Sequence, residues 1–204
     1  MATGKVEGMT RDKIDFVLAG VGGQGTILAS DILVEVGLEA GYDVKKSEVH
    51  GMAQRGGGVE SQVRWGSKIH SATVEKGRVD YLIGFEMLET ARWIEYLKPG
   101  GDIVVNRYRI PPPPVNMGVA RYPEESEIQE LLLTRAGRLE WVDATGIARE
   151  LGNAALAGVV LLGRLASHLD IEDAVWLGVI ERLVPPRFVD LNREAFRRGT
   201  ESAD

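Results

Sequence analysis

The chain has no cysteine among its 204 residues. This absence excludes disulfide bonds, iron–sulfur clusters held by its own thiolates and a cysteine nucleophile, and it fits a reducing compartment. An excess of positive charge is also lacking. The net charge of −6 argues against a protein that binds nucleic acid non-specifically, because such proteins carry a basic surface.

Long apolar runs are missing as well. The longest run of small and apolar residues, Ala154–Leu162, spans nine residues, which is too few to cross a bilayer. Met1–Asp12 has no apolar core, and we do not expect it to be a signal peptide. With 44% apolar residues and no linker or repeat, the sequence predicts a single cytoplasmic domain over residues 1–204 without membrane contact, flexible at 1–12 and 199–204.

Residue patterns typical of metal or nucleophilic catalysis are absent too. His50, His70 and His168 are scattered and have no carboxylate at ligand spacing, so no metal site is predicted. We expect a capping or surface role for His168. The sequence contains no nucleophile elbow and no P-loop lysine after its glycines. No catalytic residue can therefore be assigned.

A glycine-rich motif near the N-terminus is the most informative feature that is present. Gly20–Gly25 reads Gly-Val-Gly-Gly-Gln-Gly and follows the apolar run Ile14–Ala19. Leu28, Ile32 and Val36 then recur every four residues, so the sequence predicts a strand, a tight turn and a helix. Such a turn lets a ligand approach the backbone, and the helix N-terminus attracts anions. The predicted anion- or cofactor-binding loop comprises Gly20, Gly22, Gly23, Gln24, Gly25 and Thr26.

A dinucleotide site would also require an acidic residue about 20 positions further on, at the end of the second strand. Asp43 is near that distance but begins the predicted strand, and Glu48 follows Lys45 and Lys46. The fingerprint is incomplete. An NAD(P)-dependent dehydrogenase and an ordinary turn without a ligand both stay open as alternatives.

A second glycine-rich loop follows, with the sequence His-Gly-Met-Ala-Gln-Arg-Gly-Gly-Gly at residues 50–58. Successive N–H groups around one guanidinium suit a carboxylate or a phosphate. The alternative is that Arg55 is a surface arginine paired with Glu48 or Glu60. The candidate substrate, coenzyme A or partner contacts are Ser47, Glu48, His50, Gln54, Arg55, Gly56 and Gly57.

Strand and helix patterns alternate along the rest of the chain, which predicts an α/β, Rossmann-like, mostly parallel sheet with helices on both faces. Val59–Trp65 alternates as a half-buried strand, and Gly66-Ser67 predicts a hairpin turn into Lys68–Val74. We therefore expect an inserted antiparallel hairpin. Pro111–Pro114 should be extended. Small residues from Ala154 to Gly163 predict either an internal core helix or contact with a partner subunit. Further predicted strands are 43–49, 79–83, 102–105 and 139–143, and further predicted helices are 86–97, 124–136, 145–151, 153–169, 171–183 and 187–198.

The two glycine-rich motifs together resemble the gamma domain of the 2-oxoacid:ferredoxin oxidoreductases. The resemblance rests on Gly20–Gly25 followed by Ser-Glu-Val-His-Gly-Met-Ala-Gln-Arg-Gly-Gly at residues 47–57, and the second motif is the more specific. The resemblance covers about residues 14–184, and the second motif has the form most similar to the indolepyruvate branch of the family. Pro111–Pro114 and the tail Arg187–Arg198 match nothing in that resemblance.

The resemblance implies a subunit that is not active alone and binds no cofactor alone. In that family a larger partner subunit holds thiamine diphosphate, Mg and iron–sulfur clusters. The complex converts an aryl 2-oxoacid and coenzyme A into aryl-acetyl-CoA, CO2 and reduced ferredoxin. Consistent with this, the chain lacks cysteine and an intact thiamine-binding signature. Arg55 would face a carboxylate or phosphate, and Gly25-Thr26 another anion. A stand-alone nucleotide-binding or regulatory module of the same fold remains an alternative.

Overall fold

The computed structural model describes residues 13–50 and 57–202, apart from the His50 side chain. Within these ranges one six-stranded sheet has the order β2-β3-β1-β4-β5-β6. Strands β1, β4, β5 and β6 are parallel, whereas β3 is antiparallel to both β1 and β2. The strands are β1 (Lys13–Val21), β2 (Asp43–His50), β3 (Gly58–Gly66), β4 (Val79–Gly84), β5 (Leu97–Asn106) and β6 (Ala136–Val142).

Helices cover both faces of the sheet, as predicted for an α/β fold. One core packs α1, α5, α6, α7 and α8 against the sheet, and the other packs α2 and α4. The helices are α1 (Thr26–Glu39), α2 (Met87–Arg92), α3 (Pro113–Asn116), α4 (Glu125–Leu133), α5 (Ala144–Glu150), α6 (Ala157–Ala166), α7 (Asp173–Leu183) and α8 (Val189–Glu201), with short 3₁₀ turns at Ile94–Tyr96, Ala154–Leu156 and Pro186–Phe188. No helix in the described part of the chain combines the length and hydropathy that a bilayer crossing requires.

Strand β1 lies at the centre of the sheet, which explains why its sequence is apolar without a break from Phe16 to Val21. The buried Asp15 before this run is paired with Arg64. Phe16 and Leu18 point into the core that contains α1, while Val17 and Ala19 point into the core that contains α2. A strand covered on both faces needs apolar residues at every position. The continuous run therefore identifies the central strand and fixes where its C-terminal end meets the glycine turn.

The antiparallel hairpin exists, but its second member was predicted wrongly. Residues 67–78 form no strand; Gln62 accepts the Val74 N–H at 2.6 Å, and Arg64 donates to the carbonyls of Ser71 and Thr73 at 3.0 and 2.8 Å. The hairpin consists instead of β2 and β3. Both edges of β3 are already paired, with β1 on one side and β2 on the other, so no edge remains for another strand.

Three other expectations are corrected. Pro113 and Pro114 begin α3 rather than extending the chain, because proline is tolerated in the first helical turn, where its missing N–H would have no acceptor. The predicted helix 86–97 ends at Arg92, and residue 97 already belongs to β5. Residues 199–201, expected to be flexible, form the end of α8.

The small residues of α6 belong to an internal core helix. A Cβ on Gly163 would lie 2.2 Å from the Phe196 carbonyl oxygen, and a Cβ on Gly199 would lie 2.1 Å from the Val160 carbonyl oxygen. Helices α6 and α8 thus approach each other through two facing glycines. The second alternative, contact with a partner subunit, is not needed to explain this pattern.

We expect Gly163→Ala to destabilise the chain by about 1–3 kcal/mol, because the added methyl group would force α6 and α8 apart. Gly178→Ala is the matched control. Gly178 is also helical, but a Cβ there has no atom within 4 Å, so the change should raise stability by about 0.4–1 kcal/mol. Urea unfolding measures both, and equal effects would contradict close packing at Gly163.

Candidate functional site

The glycine turn lies at the C-terminal edge of the parallel strands, between β1 and α1. Gly23 and Gly25 have φ of +99° and +82°, a region that side chains with a Cβ rarely adopt. Gly22 is not in that region, and its N–H donates to the Gly57 carbonyl oxygen at 3.0 Å. At Gly20 the constraint is space, since a Cβ would lie 2.8 Å from the Phe85 Cβ.

Gln24 holds the turn together from within. Its side-chain oxygen accepts the Val21 N–H at 2.7 Å, and its amide nitrogen donates to the Phe85 carbonyl oxygen at 2.9 Å. Thr26, the first residue of α1, is buried, and no described side chain caps the helix. The first-turn N–H groups of α1 therefore have no side-chain acceptor, as an anion-binding helix end requires.

A buried amide connects this turn to the next elements of the same edge. Asn106, at the end of β5, is fully buried; its amide nitrogen donates to the Phe85 carbonyl oxygen at 3.1 Å and to the Thr145 hydroxyl at 2.8 Å. Its amide oxygen accepts the Thr145 N–H at 3.2 Å. The Phe85 carbonyl thus accepts amides from both Gln24 and Asn106, which fixes α5 relative to the glycine turn.

A cleft of about 290 Å³ opens between these elements. Arg149 of α5 lies in it with its guanidinium carbon 5.4 Å from the centre of the Tyr108 ring, and it donates to the Tyr108 hydroxyl at 3.2 Å. A guanidinium beside an uncapped helix end suits a phosphate or carboxylate. No sequence signal identifies Arg149, which resembles any other exposed helix arginine. The cleft is lined by Gly22, Gly23, Gln24, Tyr108, Ile110, Thr145, Arg149, Ala154, Ala155 and Ala157.

A buried carboxylate supports one wall of the cleft. Glu86 is 1% exposed; one of its oxygens accepts the Ile110 N–H at 3.1 Å and the Tyr122 hydroxyl, and the other accepts the Glu89 N–H at 2.8 Å. Burial, together with the Glu86 hydrogen bond, raises the pKa of the Tyr122 phenol. Tyr122 therefore stays a neutral donor, and Glu86 anchors the backbone that carries Tyr108 and Ile110.

The second motif is only partly within the described residues. Ser47 lies opposite Gln62 in the sheet, and Glu48 pairs with Lys46 and accepts from the Ser30 hydroxyl at 3.3 Å. Burial lowers the pKa of Lys46, but its bonds to Asp31 and Glu48 outweigh this and the pKa is raised. The two motifs meet at the hydrogen bond from Gly22 to Gly57 described above. The His50 side chain, Gln54, Arg55 and Gly56 lie outside the described residues.

Neither acidic candidate for a dinucleotide ribose is placed to serve. Asp43 accepts the Ile69 N–H at 2.7 Å. It stands opposite Gly66 of β3, which in turn lies opposite Lys13, the first residue of β1. Asp43 is therefore at the end of the strands far from the glycine turn. Glu48 is held by Lys46 against α1. Because neither carboxylate faces the cleft freely, the arrangement disfavours the dehydrogenase alternative.

Two buried carboxyl groups lie near the start of β3. Glu60 and Glu89 are 5% and 6% exposed, and burial raises the pKa of both. Glu89 pairs with Arg92 at 2.6 Å, and a Cβ on Gly58 would lie 2.8 Å from one of its oxygens. Among the described side chains, Glu60 is bonded to the Gln62 amide, at 3.4–3.5 Å. Within 13–50 and 57–202, no three His, Asp or Glu side chains converge as a metal site would require.

We expect Glu60→Gln to stabilise the chain at neutral pH. Because burial raises the pKa of Glu60, the folded state binds its proton more tightly, and stability falls as the pH rises from the unfolded pKa through the folded one. The glutamine side chain of the variant cannot ionise, so the folding stability of the variant does not fall in this way as the pH rises. The gain, followed by urea unfolding, should vanish below about pH 4, where both states are protonated. The exposed Glu130 offers a control, and an equal gain in Glu130→Gln would refute the burial argument.

Comparison with known proteins places this geometry in context. The family model described as pyruvate ferredoxin/flavodoxin oxidoreductase matches residues 15–202. A Pyrococcus horikoshii protein named indolepyruvate oxidoreductase subunit IorB is 40% identical over 194 residues, covering 93% of this chain and 95% of that protein. Its namesake from Thermococcus kodakarensis is 38% identical over 192 residues, with the same coverage of 93% and 95%.

A solved structure shares the fold. The pyruvate oxidoreductase subunit PORC from Thermotoga maritima superposes with a TM-score of 0.70 over 95% of this chain and 98% of that one. The sequence identity of 23% limits this comparison to the architecture. The mixed sheet with helices on both faces is therefore an arrangement that an oxidoreductase subunit also uses.

Proposed function

Because the chain belongs to the pyruvate ferredoxin/flavodoxin oxidoreductase family, we propose that it is the small subunit of an enzyme that oxidises an aryl pyruvate such as indolepyruvate. The substrate is suggested by the names of its relatives, which are similar over nearly the whole chain. The observation that carries the proposal is the anion-binding cleft at the C-terminal edge of the sheet, in a chain with no cysteine for an iron–sulfur cluster.

The reaction divides between two subunits in this proposal. A larger subunit supplies thiamine diphosphate, Mg and iron–sulfur clusters, which provide decarboxylation and electron transfer. The aryl pyruvate loses CO2, its acyl group is transferred to the coenzyme A thiol, and the two electrons released reduce two ferredoxins. This chain contributes a wall and anion contacts at the shared cavity, and we place the complex in the cytoplasm.

The cleft is where this chain would hold coenzyme A. The phosphates of coenzyme A would bind to the N–H groups of the first turn of α1 and to the Arg149 guanidinium, since both favour anions. Gly23 and Gly25 keep the backbone free of side chains that would block the approach. Arg55, which lies between β2 and β3 in the sequence, remains our candidate for the contact with the carboxylate of the 2-oxoacid.

A nucleotide-binding module is the second candidate, because the same cleft would fit the phosphate of another nucleotide. The composition of the assembly separates the two. A tagged chain purified from its native cell should bring down a large, cysteine-rich chain that contains thiamine diphosphate. A module would be recovered without it.

The chain expressed alone should be colourless, contain no iron and oxidise no indolepyruvate with a ferredoxin or dye acceptor. The reason is that it has no cysteine to hold a cluster. Iron analysis, absorbance and an acceptor-reduction assay measure this. Adding the co-purified partner should restore turnover, whereas turnover by the isolated chain would overturn the proposal.

Arg149→Ala should raise the KM for coenzyme A in the complex by about 10–150-fold, since a hydrogen bond to a charged group contributes about 1.5–3 kcal/mol. Arg149→Lys should recover only part, because an ammonium lacks the planar fork. Arg187→Ala is the matched control: Arg187 also stacks on a ring, that of Phe188 at 4.8 Å, but does not line the cleft. Steady-state kinetics at varied coenzyme A test this, and an unchanged KM in Arg149→Ala would remove Arg149 from the site.

A further inference from the structure

Residues 110–120, which we call the prong, connect the cleft to α4 and have the sequence Ile-Pro-Pro-Pro-Pro-Val-Asn-Met-Gly-Val-Ala. None of these residues is charged. Met117 and Val119 are 69% and 78% exposed, more than any other large hydrophobic residue described. Exposed apolar residues grouped on one segment are typical of a surface that another protein covers.

The prong is held in shape by its own hydrogen bonds. The N–H groups of Val119 and Ala120 donate to the Pro114 carbonyl at 2.9 and 3.1 Å, and the Asn116 amide donates to the Pro111 carbonyl at 2.9 Å. The prolines fix φ and restrict the unfolded chain. A protein segment that is already ordered loses less conformational entropy when it binds.

The base of the prong is fixed by the same buried carboxylate that supports the cleft. Glu86 accepts the Ile110 N–H on one side of the prong and the Tyr122 hydroxyl on the other. The arginines that flank it are paired within the chain: Arg121 with Glu127 at 2.6 Å, and Arg109 over the Tyr122 ring at 5.5 Å. The contacts with Glu86 therefore fix the direction of the prong. The flanking arginines are held at its base, and its tip carries no charge.

We propose that the prong inserts Met117 and Val119 into an apolar pocket of the thiamine-bearing subunit. This inference rests on the proposed function. Two observations select that occupant. Ile110 at the base lines the cleft, so a subunit that covers the cleft also meets the prong. An uncharged tip fits only an apolar pocket, because burying it against charged groups would leave those groups unpaired.

Two clefts on the described surface of this chain are lined mainly by charged residues and do not suit the prong of a second copy. The cleft at the opposite edge of the sheet, about 640 Å³, is lined mainly by charged residues that include Asp15, Arg64 and Asp80. The groove between α7 and α8 is lined by Asp190, Arg193 and others, and most of these are charged too. A third cleft, of about 410 Å³, includes Trp141, Val142 and Ile147, so the test also follows self-association of the chain. The position of the prong beside the cleft, through Ile110, is what selects the partner subunit as the occupant.

The test uses the purified partner subunit and measures its affinity for variants of the full chain by calorimetry. The double variant Met117→Asp/Val119→Asp should bind at least about 30-fold more weakly, as expected for the centre of an interface, with an unchanged Tm because both side chains are exposed. Met117→Leu/Val119→Ile should bind like the wild type. Leu133→Asp is the control, since Leu133 is 52% exposed at the far end of α4, and it should not weaken binding.

Two results would overturn the inference. One is that the double aspartate variant binds within about 3-fold of the wild type. The other is that it binds normally but abolishes self-association of the chain, which would assign the prong to a second copy. Failure of the wild-type chain to bind any thiamine-containing subunit would refute the proposed function itself, so the two failures are distinguishable.

Discussion

The carbonyl oxygen of Phe85 is the point on which the geometry of the candidate site depends. It accepts one amide from Gln24 in the glycine turn and another from Asn106 at the end of β5. Asn106 also holds Thr145. The Phe85 carbonyl therefore links the glycine turn directly to the end of β5 and, through Asn106, to the start of α5. Buried polar groups are costly when unpaired, so removal of either amide would affect both the turn and α5. The cleft that we propose as an anion site is a consequence of this arrangement.

The two edges of the sheet have different chemistry, and this separates stability from function. At the N-terminal edge the charges pair with each other, as Asp15 does with Lys13 at 2.7 Å and with Arg64 at 2.8 Å. At the C-terminal edge an arginine and an uncapped helix face an open cleft, beside a prong without charge. Polar groups that stay exposed cost little in water, and they are available to a ligand or partner. The closely packed α6–α8 pair lies on one face, where it supports the sheet; among the described residues of this pair, only Ala157 at the start of α6 lines the cleft.

Sequence reasoning recovered the elements with strong periodicity and missed those set by tertiary pairing. The unbroken apolar run of β1 and the four-residue spacing of α1 identified the strand, the turn and the helix, and the family assigned from the two glycine motifs is confirmed by the matching relatives. The partner of β3 could not be predicted, because pairing is decided by which sheet edges are free. The motif does not distinguish Gly22 from the other glycines, but only Gly23 and Gly25 use positive φ within the turn. Arg149 and Asn106 could not have been found, since their roles come from contacts between residues distant in sequence.

Hydrogen–deuterium exchange of the chain, alone and bound to its purified partner subunit, tests the central claim most directly. The claim is that the C-terminal edge of the sheet is the surface which the partner completes. Binding should then slow exchange in peptides covering residues 20–26, 107–122 and 145–157, and leave residues 67–78 at the opposite edge unchanged. Protection confined to residues 67–78 or to the α7–α8 groove, with the glycine turn and the prong exchanging as in the free chain, would contradict the claim.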